Sequence, residues 1–303
     1  MYQSEGRTLF DLFEKYHDMF FLVYTNGTLI TKDVAQKLKE LGNVTPAISV
    51  ERFEKETDER RGEGTYKKIL QAFTNLREAG VPFGISVTGT SKNVDILLDD
   101  SFYKYYFDKL GATYMWQFQL MPIGRAKGAF DLMIGPKDRV RLFRKWEYLL
   151  EKKKYCIGDF WNSGLIANGC IAYGQNGGYL YINWEGEITP CAFVPYFVDN
   201  VYDLYKEGKN LTAALKSRLM QNGSDWRHHY NLNDQKHPGN LLKPCSIRDN
   251  YANFRMNILT ADAKPENLQA KSAHEDADYY KRLIQYDEEL EKLTQPIWEN
   301  EYR

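Results

Sequence analysis

The sequence predicts an α/β fold: parallel strands alternating with helices, a small cysteine-containing hairpin and loop extension, and a C-terminal helix. Three observations predict it. Short apolar runs alternate with amphipathic helical stretches through residue 154. From residue 155 the alternation stops, and glycines, tyrosines and cysteines crowd together. After residue 260 one long helical period returns. Strands that alternate with helices imply right-handed crossovers and a parallel sheet. Runs that are apolar on both faces suit strands covered on both sides. The expected division is therefore 1–154 for the parallel strands and their helices, 155–260 for the cysteine extension and 261–303 for the helical tail.

Each element has its own signal. Leu9, Phe10, Leu12 and Phe13 suggest a short amphipathic helix. MFFLVYT (19–25) is a near-continuous apolar run closed by the turn signal Asn26-Gly27. Thr31 is placed to cap a helix with Val34, Leu38 and Leu41 on one face. PAISV (46–50) reads as the second strand. Tyr66, Ile69, Leu70, Phe73 and Leu76 make a helical stripe that stops at Gly80. VPFGISVTG (81–89) and TYMWQFQLMP (113–122) read as the third and fourth strands, the latter closed by Pro122-Ile123-Gly124. Pro136 suits the first turn of a helix carrying Val140, Phe143, Trp146 and Leu150. In the polar stretch 199–260, Asn222-Gly223 and His237-Pro238-Gly239 are expected as turns. Leu283, Tyr286, Leu290 and Leu293 set the period of the tail helix.

Composition bounds the function. The 303 residues are 43% hydrophobic and 27% charged, as in an ordinary globular chain. A formal net charge of −1 argues against nucleic-acid binding by global charge. No apolar run approaches the roughly 18 residues that span a bilayer. The polar start MYQSEGRT lacks a secretory apolar region. These features predict a cytoplasmic protein with no nucleic-acid or membrane partner, and leave its small-molecule or peptide substrate unidentified. In a reducing compartment cysteines bind metal or stay free more often than they pair. Two disulfides are the alternative for the four cysteines.

The densest signal is CIAYGQNGGYLYINWEGEITPC, from Cys170 to Cys191. YLYIN and EIT flank Trp184-Glu185-Gly186, which reads as a β-hairpin with a glycine turn. A hairpin bounded by cysteines brings two thiols towards one point, and Cys245 in HPGNLLKPC offers a third. Soft thiolates select zinc, copper or iron–sulfur clusters. A zinc site would add a histidine, and His237 is the nearest to Cys245. Arg227-His228-His229 reads as surface. Cys156, in the strand-like YCIGDFW, is expected to be a free buried cysteine, with a role as fourth ligand the alternative. In sheets of this kind the working residues lie at the carboxyl ends of strands. That directs attention to Asn26, Ser49, Glu51, Ser86, Thr88 and the Pro122–Gly124 turn.

FFLVYTNGTLI, AISVERFEKETDERRGEGTY, FGISVTGT and FQLMPIGRA follow in this order, and GC…G-x4-C with NLLKPCSIRD comes after them. With these motifs the chain resembles the radical S-adenosylmethionine (radical SAM) superfamily, in its branch with a SPASM or twitch-like C-terminal extension. The resemblance covers about residues 5–260. It implies that the four segments are the third to sixth barrel strands. It also implies a family reaction: a cluster reduces S-adenosylmethionine (AdoMet), and the radical released modifies a peptide or cofactor precursor. The implied AdoMet contacts are Ser49, Arg61 of Asp58-x-x-Arg61 as a carboxylate partner, Asn26, Thr88, and the backbone of Ile123 and Gly124. For Arg61 the plainer reading is a solvated charged loop, ETDERRGEG. Cys170, Cys191 and Cys245 are the implied ligands of one auxiliary [4Fe-4S] cluster.

Two family motifs are not found in the sequence: C-x3-C-x2-C, and Gly-Gly-Glu-Pro of the second strand. Without them the resemblance implies an incomplete (β/α) radical SAM-type barrel over 1–154, either truncated at its N-terminus or a degenerate descendant. AdoMet and a second [4Fe-4S] cluster then enter only if the missing segment is supplied, and the exposed barrel edge at MFFLVYT invites association. Two readings compete: a radical SAM oxidoreductase or maturase, and a non-catalytic iron–sulfur electron-transfer or binding module or structural zinc protein.

Overall fold

A computed structural model describes residues 7–174, 178–231 and 238–303. It divides into two compact units, Met1–Gln119 with Arg144–Phe160, and Leu120–Phe143 with Trp161–Arg303.

The first unit is built on five strands: β1 (Phe21–Thr25), β2 (Val44–Ser49), β3 (Gly84–Gly89), β4 (Tyr114–Gln119) and β5 (Ile157–Asp159). Their spatial order is their chain order, and all four pairings are parallel. Parallel neighbours need crossover connections, which helices supply here. α1 (Leu9–Lys15) precedes β1, α2 (Lys32–Leu41) joins β1 to β2, and α3 (Glu54–Arg61) and α4 (Thr65–Ala79) join β2 to β3. The α2 helix starts where the Thr31 hydroxyl accepts the Val34 N–H at 3.2 Å, as an N-cap should. The α4 helix stops at Gly80 in the left-handed conformation. Ile48, Ile69, Leu76 and Ile85 are fully buried and form the core between helices and sheet.

Burial on both faces holds for β2 and β3 but not for β1. Along β1, Leu22 and Tyr24 are exposed while their neighbours are half-buried. The reason is position: β1 is an edge strand of this sheet. The charged run after β2 is not a loop, for most of it forms α3. Cys156 is strand-like but exposed, which corrects its expected burial. It directly precedes β5, where Ile157 takes the buried side, so alternation turns Cys156 the other way.

The helix Pro136–Glu151 begins in the second unit and ends in the first. Within the second unit, β6 (Tyr181–Ile182) and β7 (Ile188–Thr189) form an antiparallel hairpin. Its turn contains Gly186 at φ +83°. Another antiparallel pair joins β8 (Tyr196–Phe197) to β9 (Lys264–Pro265). Asn222-Gly223 is not a turn, for the helix Arg218–Tyr230 runs straight through it. Gly223 is there for close packing: a Cβ would stand 2.1 Å from the Tyr173 ring. His237 lies outside the described residues. The tail helix Ala277–Ile297 buries Leu283, Tyr286, Leu290 and Thr294, and Leu293 is only half-buried.

Candidate functional site

Three segments of the second unit carry Cys170, Cys191 and Cys245, and hydrogen bonds of one residue draw them together. The Tyr173 N–H donates to the Pro190 carbonyl at 3.1 Å, tying the Cys170 segment to the residue before Cys191. The Tyr173 hydroxyl lies 2.7 Å from the Ser246 hydroxyl, tying it to the residue after Cys245. Tyr173 is fully buried and holds a φ of +71°, a backbone conformation disfavoured for a side chain of this size. Surrounding structure maintains it. The ring packs on Gly223, and Arg227 from the same helix donates to the Ala172 carbonyl at 2.9 Å.

Each sulfur is surrounded by donors. Cys191 is buried, its sulfur 2.7 Å from the Tyr179 hydroxyl and 3.4 Å from the Phe193 N–H. Backbone N–H groups of Ala172 and Ser246 reach Cys170, and that of Arg248 reaches Cys245. N–H and O–H donors stabilise the thiolate form, the form that binds metal. Desolvation works harder in the other direction. Cys170 and Cys245 keep some exposure as residues, yet their sulfurs sit in crowded surroundings. Burial pushes the Cys170 thiol up, against the pull of the Ala172 N–H and the Arg227 charge. It pushes Cys191 up strongly, and Cys245, with the Asp249 and Cys170 charges adding, up to about 12. Metal-free, the three groups are therefore thiols at neutral pH, and a bound metal ion would replace their protons.

The donor set fits a soft metal centre: three sulfurs in mutual electrostatic reach, each with N–H donors beside it. Coordination spacing is another matter. Among the described residues no group of three or more His, Cys, Asp or Glu side chains is spaced to hold a metal ion.

The Cys245 turn is anchored from beneath. Asp249 accepts the Cys245 N–H at 3.1 Å, and the Cys245 carbonyl accepts the Asp249 N–H at 3.0 Å. Arg139 donates to both Asp249 oxygens, and its Nη2 also reaches the Trp161 and Leu242 carbonyls at 3.1 and 3.2 Å. Arg248 is stacked over the Trp161 ring at 4.6 Å. Arg139, Arg248 and Asp249 are all fully buried. Burial alone would raise the Asp249 carboxyl, but the Arg139 and Arg248 charges outweigh it and hold it below the ordinary value. This network gives the Arg-Asp of NLLKPCSIRD a structural role.

In the first unit, topology places Asn26, Ser49 and Thr88 at the carboxyl ends of β1, β2 and β3. Asn26 Oδ1 accepts the Thr28 N–H at 3.1 Å and forms the turn after β1. Ser49 is in register with Ser86, and the Thr88 carbonyl accepts the Asn93 side chain at 3.0 Å. Arg61 is already engaged: its Nη2 and Nε lie 2.8 and 3.1 Å from Oε1 of the buried Glu51, whose other oxygen takes Arg60 at 2.8 Å. Ile123 and Gly124 belong to the second unit, where their carbonyls accept the Ala126 and Lys127 N–H groups at 3.0 Å.

Sequence reasoning missed Gln117 and Gln119, which are buried at the same carboxyl ends as Asp159. Gln117 donates to Asp159 at 2.6 Å. A signal existed: in YMWQFQ the two glutamines alternate with Met115 on the buried face, where polar residues are unusual.

Comparison with known proteins bears on the first unit and on the fold. The family model described as Radical SAM superfamily matches residues 2–98. An AdoMet-dependent heme synthase of Methanosarcina barkeri (strain Fusaro / DSM 804) is 25% identical over 204 residues, 58% of this chain and 56% of the relative. One from Nitratidesulfovibrio vulgaris (strain Hildenborough) is 27% identical over 203 residues, 58% of this chain and 53% of the relative. The chain thus spans about half the length of the curated relatives it matches. Among solved structures, native anSMEcpe with bound AdoMet and Cp18Cys peptide shares the fold at a TM-score of 0.54 and 19% identity, over 89% of this chain and 76% of that one. Residues 2–98 thus match the radical SAM superfamily model, and 58% of the chain is similar in sequence to AdoMet-dependent heme synthases.

Proposed function

We propose that Cys170, Cys191 and Cys245 hold an auxiliary iron–sulfur cluster in a radical SAM protein that modifies a peptide or a cofactor precursor. One observation carries the reading: Tyr173 joins the three cysteine segments, and each sulfur has a backbone N–H beside it. A cluster held there would supply one-electron transfer. This chain's own groups would then set its surroundings. Tyr179 and the backbone donors would stabilise the thiolates, and the Arg139–Asp249 pair would hold the Cys245 turn in place.

The proposed AdoMet contacts are Asn26, Ser49, Arg61 and Thr88, with the backbone of Ile123 and Gly124. Arg61 serves in that role only in competition with Glu51. The family's reductive cleavage of AdoMet depends on a C-x3-C-x2-C cluster, and the four cysteines of this sequence do not have that spacing. The radical step is therefore proposed for the protein with that motif supplied, and the auxiliary cluster for the chain itself. The curated relatives are named for heme synthesis and the solved structure holds a peptide, so both substrate classes stay in the proposal.

Anaerobically purified or reconstituted protein tests this. The expected product is brown, with iron and sulfide near four each per chain, and with both reduced in Cys191→Ala but not in Cys156→Ala. Colourless protein holding one zinc overturns the cluster in favour of a structural metal. Unchanged metal content in Cys191→Ala removes Cys191 from the ligand set.

A further inference from the structure

The second unit contains a cavity of about 530 Å³ that the cysteine chemistry does not use. Its wall is made by the β8–β9 pair, the segment around Arg255–Thr260 and the helix Leu268–Glu275. The size is that of a small-molecule site. Three nitrogen-bearing side chains line it: Arg255, Lys271 and His274, with no Asp or Glu among the lining residues. Lys271 and His274 stand three positions apart and so share one helix face.

Among the described residues neither Arg255 nor Lys271 has a carboxylate partner, although this chain carries 41 acidic residues. Arg255 Nε and Thr260 Oγ1 are buried without a hydrogen-bond partner among the described residues. A buried unsatisfied donor is destabilising unless a ligand or water completes it. The guanidinium is nonetheless held in place. It lies 5.8 Å from the Tyr251 ring centre and 5.7 Å from that of Tyr280, and Nη1 reaches the Tyr251 hydroxyl at 3.4 Å. Arg255 also sits in a π-helical turn, Phe254–Ile258, a local geometry frequent at functional sites. The rest of the wall is largely apolar, with Tyr196 and Leu259.

We infer that this cavity binds a small organic oxyanion, an apolar body carrying a carboxylate or phosphate that pairs with Arg255. A planar guanidinium with open donors suits such a group through paired hydrogen bonds. Lys271, an exposed residue of the lining, adds long-range attraction. The apolar wall takes the body of the ligand. The inference stands apart from the cysteine site and needs no metal.

Ligand-observed NMR on the full chain tests it with three probes: benzoate, phenyl phosphate and neutral benzyl alcohol. Binding of benzoate or phenyl phosphate at least about tenfold tighter than benzyl alcohol is expected, because an anion adds charge-assisted hydrogen bonds. Benzoate alone identifies a carboxylate site, phenyl phosphate alone a phosphate site, and both a general oxyanion site. Arg255→Met should abolish the preference. Lys271→Met, at an exposed position that leaves folding intact, should weaken anion binding about threefold and flatten its salt dependence. Equal binding of all three probes overturns the inference, as does no binding by either anion. Anion binding unchanged in both variants overturns it too.

Discussion

Tyr173 and Ser246 share a hydrogen bond of 2.7 Å between fully buried hydroxyls, 73 positions apart in the chain. This contact joins the Cys170 loop to the Cys245 turn. Ser246→Ala leaves the phenol without its partner and should destabilise by about 1–3 kcal/mol. Tyr173→Phe removes the other half and should cost about 1 kcal/mol. A double-mutant cycle by urea unfolding measures the coupling, and additive effects would mean the bond contributes nothing.

Arg139 and Asp249 form an ion pair with no solvent around it. Removing one partner strands the other charge. Asp249→Ala should therefore lower stability by about 3–5 kcal/mol. The double variant Arg139→Met, Asp249→Leu should recover only part of that loss, because the buried Arg248 charge still loses its carboxylate. Circular dichroism melts of the single and double variants read the difference. A double variant as unstable as Asp249→Ala would show that the stranded Arg248, rather than Arg139, sets the cost.

Gly223 is in contact with the Tyr173 ring, so a methyl group there has no room. Gly223→Ala improves helix propensity yet should still destabilise by about 1–3 kcal/mol through overpacking. A stabilised Gly223→Ala would show that Tyr173 moves aside readily.

His274 gives a pH dependence with a definite sign. Burial, with the Arg255 charge beside it, holds its imidazolium form below the ordinary value of 6.5. The folded state thus binds the proton less readily than the unfolded one. The stability tied to neutral His274 is complete above 6.5 and lost as pH falls towards the depressed value. The side chain is exposed, so the effect is small. NMR titration should place His274 below 6.5, and His274→Asn should reduce the fall in melting temperature between pH 7 and pH 5. A His274 value at or above 6.5 contradicts this.

The sheet was legible because its strands are short apolar runs bounded by turn residues, and Thr31 and Gly80 sit where a helix must start and stop. Edge position was legible only through the resemblance, which implied an exposed edge at MFFLVYT, where β1 is indeed the edge strand. From residue type alone the apolar run of β1 looks the same as that of β2. Gly223 misled for a related reason: Asn-Gly favours a turn locally, and the contact with Tyr173, fifty positions earlier, decides otherwise. The cysteine set was picked out by residue type and by its hairpin. Its organiser, Tyr173, was hidden, because nothing in a tyrosine-rich sequence separates a hub from its 21 counterparts. Arg61 was singled out for its planar charge, while its buried partner Glu51 becomes evident only when α3 folds back towards the end of β2.

The strand order of the sheet bears on how the protein is made. Because spatial order equals chain order, each strand that leaves the ribosome finds its neighbour already synthesised. No strand must wait for a later one to wedge in between. Assembly can therefore proceed in the direction of translation, with the growing side of the sheet always the most recent strand.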